Sequence, residues 1–382
     1  MLFIKRPVGE ETQRNGMDRI RVCCVVGARP NFIKMASLLH EMANRPAVWQ
    51  PILVHTGQHY SPEMSQSFFD DLKLPAPDEH LGVGGGSHAE QTAEIMKGME
   101  RILLRHSPAL IVVVGDVNST VAAALVAAKL GIPIAHVEAG LRSRDRRMPE
   151  EINRVVTDAI SNYLFASEPS GVENLLAEGV EAGRVFHVGN TMIDTLLRFR
   201  ERATCSDALE RFGLTPRQYV LATLHRPSNV DDPERLHELI CVLDSISTRL
   251  PVLLPLHPRT ERRLAPEWMD QSRIRRAAPQ GYLDFLHLMS NARLVITDSG
   301  GIQEETTVLG VPCLTVRENT ERPVTIQQGT NHLAGNDAEP VRNLALKILS
   351  LPFPEDPPRP ELWDGHAGQR ILDKLEELLR SR

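Results

Sequence analysis

From Ile20 onward, short runs rich in β-branched residues alternate with amphipathic stretches along the whole chain. This alternation is typical of parallel β-sheets whose two faces are covered by helices. We predict a first series of strands at residues 20–26, 51–55, 110–115, 133–137, 163–166 and 185–188. A second series is predicted at residues 219–224, 251–256, 294–297 and 312–316. Predicted helices lie at residues 32–43, 64–72, 89–106, 120–130, 150–161, 172–178, 192–203 and 369–380.

The two strand series predict two domains. A chain of 382 residues is longer than one hydrophobic core usually supports. We therefore predict an α/β fold in which two Rossmann-like domains, residues 20–190 and 191–364, face each other across a cleft. A loose extension, residues 1–19, precedes them. The last segment, residues 365–382, is expected to pack back on the first domain.

Composition narrows the classes of partner and cofactor. A formal net charge of -6 gives no general attraction to nucleic acid or to an anionic membrane. Apolar stretches are too short for a signal peptide or a membrane span. No HxH, HExxH or CxxC pattern is present, so we expect neither a metal nor another cofactor. The five cysteines, without CxxC spacing, indicate reduced core thiols in a cytoplasmic protein: Cys23, Cys24, Cys205, Cys241 and Cys313.

Polar clusters follow most of the predicted strands. In open α/β sheets, ligands bind beyond the carboxyl ends of the strands, so these clusters are candidates for the functional site. They are GARP at 27–30, QH at 58–59, GD at 115–116, EAGLR at 138–142, HR at 225–226, HP at 257–258 and TDSGGIQEE at 297–305.

The TDSGGIQEE run predicts an anion site. Ser299 can cap a helix after the strand, and the two glycines let a ligand approach the backbone. A helix start offers free N–H groups and a positive dipole end to phosphate. Glu305, about two turns later, can take ribose hydroxyls. A tight turn with an ordinary cap explains two glycines equally well. Phosphate binding is favoured because basic residues that can face the same cleft recur at Arg29, His225, Arg226 and Arg322.

Three carboxylates are candidates for acid/base chemistry. Asp116 is equally well explained as the cap of the following helix. Glu138 has no evident capping role, which favours function. Glu150 suits a first helical turn electrostatically, and Arg154 can simply pair with it. Three acids near one cleft suit proton transfer, because their surroundings can separate their pKa values.

Basic residues accompany these acids. Lys34 or Arg29 can keep one carboxylate ionised. His225 can bind phosphate, act in acid/base chemistry or be structural.

Taken in order, these clusters resemble the motifs of the non-hydrolysing UDP-N-acetylglucosamine 2-epimerases, which share the two-domain glycosyltransferase-B fold. The resemblance runs from Ile20 to the C-terminal helix. The motifs that carry it are GARPNFIK (27–34), HTGQH (55–59), GDVNST (115–120), HVEAGLRS (136–143), MPEEINR (148–154), LHRPSN (224–229), TDSGGIQEE (297–305) and ERP (321–323).

The resemblance implies a role for each matching position. The acid/base group would be Asp116, Glu138 and Glu150 with Arg154, and His225 would contact the phosphates. The substrate-binding residues implied are Arg29 and Lys34 near the diphosphate, Gln280 and Phe285 beside the uracil, Ser299, Gly300 and Gly301 on the diphosphate, Glu305 on the ribose and Arg322 in the anion site.

The resemblance also implies a mechanism, in which UDP is eliminated across C1 and C2 of the sugar and re-added with C2 inverted. Some family members bind a second UDP-N-acetylglucosamine as an activator, and the matching positions are Gln58, His59, Gln91 and His257. The expected partners are a UDP-sugar and a second copy of the chain in a homodimer.

Two positions depart from the family pattern. Asn31 stands where many members have Glu or Gln, and Ser228 stands where Glu commonly follows the His-Arg pair. Loss of an acid there is expected to shift neighbouring pKa values or to mark a modified substrate. The alternative substrate is UDP-2,3-diacetamido-2,3-dideoxy-glucuronate. Three arginines can face its carboxylate, although a solvated basic loop is the favoured interpretation: Arg144, Arg146 and Arg147.

Three further functions remain as alternatives. A glycosyltransferase of the same fold usually needs one catalytic base, and the three acids count against it. A binding-only protein that has lost catalysis is disfavoured by the intact acids. A hydrolysing epimerase would release free N-acetylmannosamine.

Overall fold

The computed structural model describes residues 19–57, 62–265, 268, 272–355 and 357–381, without the side chains of residues 62–66. Most of the predicted N-terminal extension, and the candidate residues Gln58 and His59, lie outside the described residues.

The first half of the chain forms a seven-stranded parallel sheet in the order β3-β2-β1-β4-β5-β6-β7. Its strands are β1 (Ile20–Val26), β2 (Trp49–His55), β3 (Glu79–His80), β4 (Leu110–Val114), β5 (Ile134–Val137), β6 (Tyr163–Ala166) and β7 (Val185–His187). Its helices are α1 (Arg29–Ala43), α2 (Pro62–Asp71), α3 (His88–His106), α4 (Asn118–Leu130), α5 (Pro149–Ile160) and α6 (Pro169–Ala177), with a short 3-10 helix at Ala182–Arg184.

The second half forms a six-stranded parallel sheet in the order β10-β9-β8-β11-β12-β13. Its strands are β8 (Val220–Thr223), β9 (Val252–Pro255), β10 (Arg275–Ala277), β11 (Leu294–Thr297), β12 (Cys313–Thr315) and β13 (Asn331–Leu333). The helices are α7 (Thr191–Ala203), α8 (Ala208–Arg211), α9 (Pro227–Val230), α10 (Pro233–Ser247), α11 (Pro258–Glu261), α12 (Tyr282–Asn291), α13 (Gly300–Leu309), α14 (Val324–Gln327), α15 (Ala338–Ser350) and α16 (Ala367–Arg380).

The central strands of both sheets are continuously hydrophobic. In β4 the sequence LIVVV is buried at every position, because helices cover both faces of a parallel sheet. Helix ends carry recognisable signals. Ser87 and Glu90 form a capping box at the start of α3, and Gly131 ends α4 in the left-handed conformation. The predicted two-sheet α/β fold is confirmed.

Short elements and surface cysteines depart from the sequence predictions. Strands β3, β10 and β13 were not predicted, since they have two or three residues each and carry polar side chains. The prediction of core thiols is wrong at Cys205 and Cys241, which are exposed. Among the described residues, no helix is long and apolar enough to cross a membrane.

Helix α7 connects the two sheets, and its Asp194 side chain bonds to both α1 and the start of α16. The Asp194 carboxylate accepts the backbone N–H groups of Ala367 (3.1 Å) and Gly368 (2.7 Å), at the start of α16. The same carboxylate accepts the Ser37 hydroxyl of α1 at 2.7 Å. The last helix therefore lies against both α1 and α7.

Gly189, between β7 and α7, tests how tightly this connection is fixed. Its φ is +85°, and an added Cβ would lie directly against the Leu362 carbonyl. We expect Gly189→Ala to lower the free energy of unfolding by about 3 kcal/mol, from the left-handed backbone and the clash together. Gly179 has φ +86° with no atom near an added Cβ. Gly179→Ala should therefore cost only about 1 kcal/mol. Urea denaturation measures the free energy of unfolding of both variants. Equal losses in the two variants would contradict a clash at Gly189.

Candidate active site

Residues at the carboxyl ends of the two sheets meet across the space between them. Among the described residues, three ion-pair contacts join the halves in this space. Arg322 Nη2 lies 3.1 Å from Glu138 Oε1, Arg226 Nη1 lies 3.6 Å from Glu150 Oε1, and Arg154 Nη2 lies 3.6 Å from Glu321 Oε1. Acids predicted from the first half therefore contact cations from the second.

Glu138 is a buried carboxylate between two cations. Lys34 Nζ lies 2.6 Å from its Oε2 and 2.7 Å from its Oε1, and Arg322 approaches from the other half. Glu138 has φ +70°, which is uncommon for a residue with a side chain. Such backbone strain concentrates at functional sites. The close packing also requires Gly115, where an added Cβ would lie 2.9 Å from Lys34 Nζ.

Asp116 is held by Arg154. Arg154 donates to Asp116 Oδ2 from Nε (3.0 Å) and from Nη2 (2.6 Å). Burial opposes ionisation of Asp116, but Arg154, Lys34 and Arg322 outweigh it and hold its pKa below the usual value. The capping interpretation is wrong, because Val117 occupies the N-cap of α4 and no side chain caps it.

The predicted pairing of Arg154 with Glu150 is also wrong. Arg154 Nη1 lies 2.7 Å from Glu151 Oε2, one helical turn away. Glu150 is more exposed and faces Arg226 instead. Glu151 also accepts the backbone N–H groups of Ser143 and Arg144 at 2.9 Å. The sequence contained a signal for Glu151, since positions i and i+3 share a helix face.

The three arginines before α5 form the solvated loop that was favoured. All three are exposed. Arg144 donates to the Asn174 side chain, and Arg147 pairs with Asp145 at 2.8 Å.

Helix α13 begins at the predicted turn but is not capped as predicted. Ser299 occupies the N-cap, yet its hydroxyl makes no capping bond, and its backbone N–H donates to Thr297 Oγ1 at 3.0 Å. Both glycines allow close approach of side chains. A Cβ at Gly300 would lie 2.5 Å from Arg322 Nη1, and one at Gly301 would lie 2.6 Å from Met192 Cε.

His225 is held in place by Asp298, an acid that was not among the predicted site residues. His225 Nδ1 lies 2.7 Å from Asp298 Oδ1, and Asp298 also accepts the backbone N–H of Arg226 at 2.8 Å. Although burial opposes ionisation, His225 and these N–H groups lower the pKa of Asp298 to about 2. Because Asp298 occupies Nδ1, Nε2 is the ring atom that can meet a ligand. The ring of His257 lies 5.4 Å away.

The residues predicted to hold the nucleoside lie around α12 and α13. Tyr282 donates its hydroxyl to Glu305 Oε1 at 3.3 Å. Burial raises the pKa of Glu305 to about 8. Phe285 is half-buried beside this pair of helices. Gln280, just before α12, donates to the Ala278 carbonyl at 2.6 Å and accepts from Arg211 at 3.3 Å.

Arg322 is the main cation of the second half. Its Nε lies 2.9 Å from Glu304 Oε1, which also accepts the Asn190 side chain at 2.9 Å. Burial raises the pKa of Glu304 above its usual value, against the opposing effect of Arg322. Glu304 and Glu321 were not predicted, because their importance depends on tertiary contacts.

The remaining candidates lie near the same cleft. Arg29 stands over the ring of Phe68 at 5.3 Å, and burial lowers its pKa. Gln91 Oε1 accepts the Asn118 side chain at 3.0 Å. Asn118 in turn accepts from Asn153 at 3.3 Å, which also donates to the Asp116 carbonyl. Within the described residues, no group of three acid, His or Cys side chains is arranged to hold a metal ion.

Comparisons with known proteins assign the family. A family model described as UDP-N-acetylglucosamine 2-epimerase matches residues 40–376. A UDP-N-acetylglucosamine 2-epimerase of Methanocaldococcus jannaschii is 42% identical over 368 residues, covering 92% of this chain and 98% of that protein. The chain belongs to the UDP-N-acetylglucosamine 2-epimerase family. This confirms the predicted family and its epimerase class.

Two further relatives bear on the site. The crystal structure of the Methanocaldococcus jannaschii epimerase in complex with UDP-GlcNAc and UDP has a TM-score of 0.87 and 40% identity, covering 94% of this chain and 100% of that chain. A UDP-2,3-diacetamido-2,3-dideoxy-D-glucuronate 2-epimerase of Pseudomonas aeruginosa is 39% identical over 364 residues, covering 94% of this chain and 100% of that protein. The family therefore contains enzymes for both of the substrates considered above.

The raised pKa of Glu305 predicts a pH-dependent stability. The folded protein keeps this proton up to about pH 8, whereas the unfolded chain loses it near the ordinary pKa of glutamate, about 4.3. Stability therefore falls as pH rises between these values. Glu305→Gln, which cannot ionise, should flatten that fall by up to about 1 kcal/mol per pH unit.

Denaturant unfolding of the ligand-free protein between about pH 5 and pH 8 measures this slope. Glu94→Gln, at an exposed pair with Lys97 on α3, is the control and should retain the wild-type slope. A wild-type slope in Glu305→Gln would contradict the assignment of the proton to Glu305.

Proposed function

We propose that this chain converts UDP-N-acetylglucosamine to UDP-N-acetylmannosamine by inverting C2 of the sugar. Family membership supports the reaction class. The observation that carries the proposal is the convergence of Asp116, Glu138 and Glu150 on arginines beside the turn at Ser299. This arrangement puts acid/base groups next to an anion site, as elimination of a nucleoside diphosphate requires.

The nucleotide would bind to the second half. Backbone N–H groups of Gly300 and Gly301 at the start of α13 suit the diphosphate. Ser299, whose own N–H is bound to Thr297 Oγ1, would offer its hydroxyl. Arg322 and His225 Nε2 would add charge-assisted contacts, with Arg29 and Lys34 facing them from α1. Glu305 would take the ribose, and the segment from Gln280 to Phe285 would flank the uracil.

The chemistry would proceed by elimination and re-addition. A carboxylate takes the C2 proton, the C1–O bond breaks with its electron pair passing to UDP, and a C1=C2 double bond forms. Re-addition of UDP at C1, with a proton delivered to the other face of C2, gives the epimer. Arg322 and His225 would stabilise the charge on departing UDP, while Asp116, Glu138 and Glu150, with Arg154, would divide the acid and base roles.

We also propose the domain division that this mechanism needs. Residues 20–190 would move as one domain, residues 191–364 as the other, and residues 365–382 would stay with the first. The ion pair between Arg322 and Glu138 supports closure of the two around the sugar. Closure would keep water from the unsaturated intermediate.

The diacetamido-glucuronate substrate is the alternative. Identity of 39% to an enzyme of that name, close to the 42% of an N-acetylglucosamine enzyme, supports it. Asn31 accepts from Ala28 N (3.1 Å) and donates to the Val114 carbonyl (2.7 Å), so this departure has a structural use. Ser228 is exposed.

Comparing kcat/KM for the two sugar nucleotides separates these substrates. We expect a preference for UDP-N-acetylglucosamine of about tenfold or more, because the arginines that could meet a sugar carboxylate are solvated. If only UDP-2,3-diacetamido-2,3-dideoxy-glucuronate is turned over, it is the substrate and the proposal of UDP-N-acetylglucosamine is wrong.

Further proposals concern regulation and assembly. Gln91 and His257, with Gln58 and His59, would belong to a second site for the UDP-sugar, a role supported by the resemblance alone. A cooperative dependence of the reaction rate on substrate concentration would accompany this second site.

A homodimer is proposed on the same resemblance, and light scattering measures the mass of the assembly. Free, buried thiols such as Cys23 and Cys313 suit a reducing cytoplasm.

Solvent exchange tests the reaction itself. In deuterated water, NMR of the sugar should show deuterium at C2 as UDP-N-acetylmannosamine forms. Asp116→Asn and Glu138→Gln should each lower exchange by about 100-fold or more while UDP still binds by calorimetry. Glu79→Gln is the control. Glu79 lies on β3 and pairs at the surface with Arg105 of α3, so this variant should exchange as the wild type does.

Other outcomes contradict specific parts of the proposal. Unchanged exchange in Asp116→Asn and Glu138→Gln would remove their assigned roles. Release of free N-acetylmannosamine would identify a hydrolysing enzyme, and UDP binding without turnover of either sugar would leave a binding protein.

A further inference from the structure

Glu321 lies at the centre of a cluster of arginines. Its side chain is 1% exposed. Oε1 lies 2.5 Å from Arg322 Nη1, 3.6 Å from Arg154 Nη2 and 4.0 Å from Arg226 Nη2, and Oε2 lies 2.7 Å from Arg317 Nη2. Four guanidinium groups from both halves of the chain therefore surround one carboxylate, whose charge offsets their mutual repulsion.

Three of these arginines each contact a different candidate acid. Arg154 Nη2 lies 2.6 Å from Asp116, Arg322 Nη2 lies 3.1 Å from Glu138, and Arg226 Nη1 lies 3.6 Å from Glu150. The fourth, Arg317, pairs with Glu321 and contacts none of the three acids in the part of the chain that the structure describes.

Lys34 and the buried Glu168 act at longer range on more than one of these groups. Each of the other direct ion pairs near the cluster involves a single arginine or acid. Glu151 pairs with Arg154, Glu304 pairs with Arg322, and Lys34 pairs with Glu138. Among the described residues, Glu321 is the carboxylate that contacts all three arginines leading to the acids.

We propose that Glu321 is a positioning residue that holds Arg154, Arg226 and Arg322 in place and thereby sets the charge at all three acids. The proposal rests on the proposed function. Glu321 itself stays ionised. Burial favours its neutral form, but the four arginines outweigh burial and keep its pKa well below the usual value. As a permanent negative charge, it opposes the field that the arginines exert on the acids, and at Asp116 it offsets part of the lowering of the pKa by Arg154, Lys34 and Arg322.

Removing the negative charge of Glu321 and removing the positive charge of Arg317 should move the pH profile of kcat/KM for C2 exchange in opposite directions. Glu321→Gln leaves the arginine field uncompensated, so the acids ionise more easily. The acidic and the basic limb of the profile should then both shift by about one unit to lower pH. Arg317→Met removes a cation that touches no candidate acid, so both limbs should shift to higher pH. Glu321→Asp, which restores the charge, should return the limbs toward the wild type.

Asp194→Asn is the matched control. Asp194 is also a buried carboxylate that accepts backbone N–H groups, but it lies at the α7 and α16 junction, outside the cluster. It should lower the thermal midpoint and leave both limbs unmoved. If Glu321→Gln does not fold, Arg317→Met and Glu321→Asp still decide the matter.

Limbs of the pH profile that stay in place in the Glu321 and Arg317 variants, or that move in the same direction, would overturn the proposal.

Carboxyl ¹³C NMR titration of Asp116, Glu138 and Glu150 tests the role of Glu321 separately from the proposed function. If the wild type shows no exchange, the proposed function fails. A downward pKa shift of these carboxyls in Glu321→Gln then still supports the role of Glu321, and its absence refutes that role.

Discussion

The contact between Arg322 and Glu138 joins the two halves of the molecule in a place closed to water. Neither ion can be buried there alone, because an isolated buried charge is strongly unfavourable. Lys34 completes the neutralisation of Glu138, and Glu304 and Glu321 that of Arg322. Removing one member of such a set typically costs about 3–5 kcal/mol. The relative position of the two halves therefore depends on the same ion pairs that set the charge of the site.

This dependence explains the local conformations around the site. Glu138 adopts φ +70° directly after β5, which places its carboxylate between the two cations. Gly115 is required beside it because a side chain would displace the Lys34 ammonium. Gly300 is required across the cleft because a side chain would displace Arg322. Buried ion pairs need close geometry, and the backbone around this one provides it at the cost of strain.

Local sequence determined much of the fold and part of the site. Strands such as LIVVV in β4 were predictable because a buried parallel strand is continuously apolar. Short strands with polar side chains, such as NHL in β13, lack such a pattern and form because a neighbouring strand is present. The positions of Asp116 and Glu138 after strands were also predictable. The specific pairs were not, because tertiary packing decides which cation meets which acid. The same holds for the contacts of Asp298 and Glu321.

The junction at Asp194 has a consequence for how the chain is made. Chains generally fold from the N-terminus as they leave the ribosome, domain by domain. Helix α1, which carries Lys34, is the first helix described, yet Ser37 on it shares the Asp194 carboxylate with the start of α16. The surface of α1 is therefore completed by residues that are synthesised long after it, following the whole second sheet. Until they emerge, the apolar face of α1 that receives α16 is exposed on the nascent chain, and a truncated message would yield a protein that chaperones and proteases can recognise as unfinished.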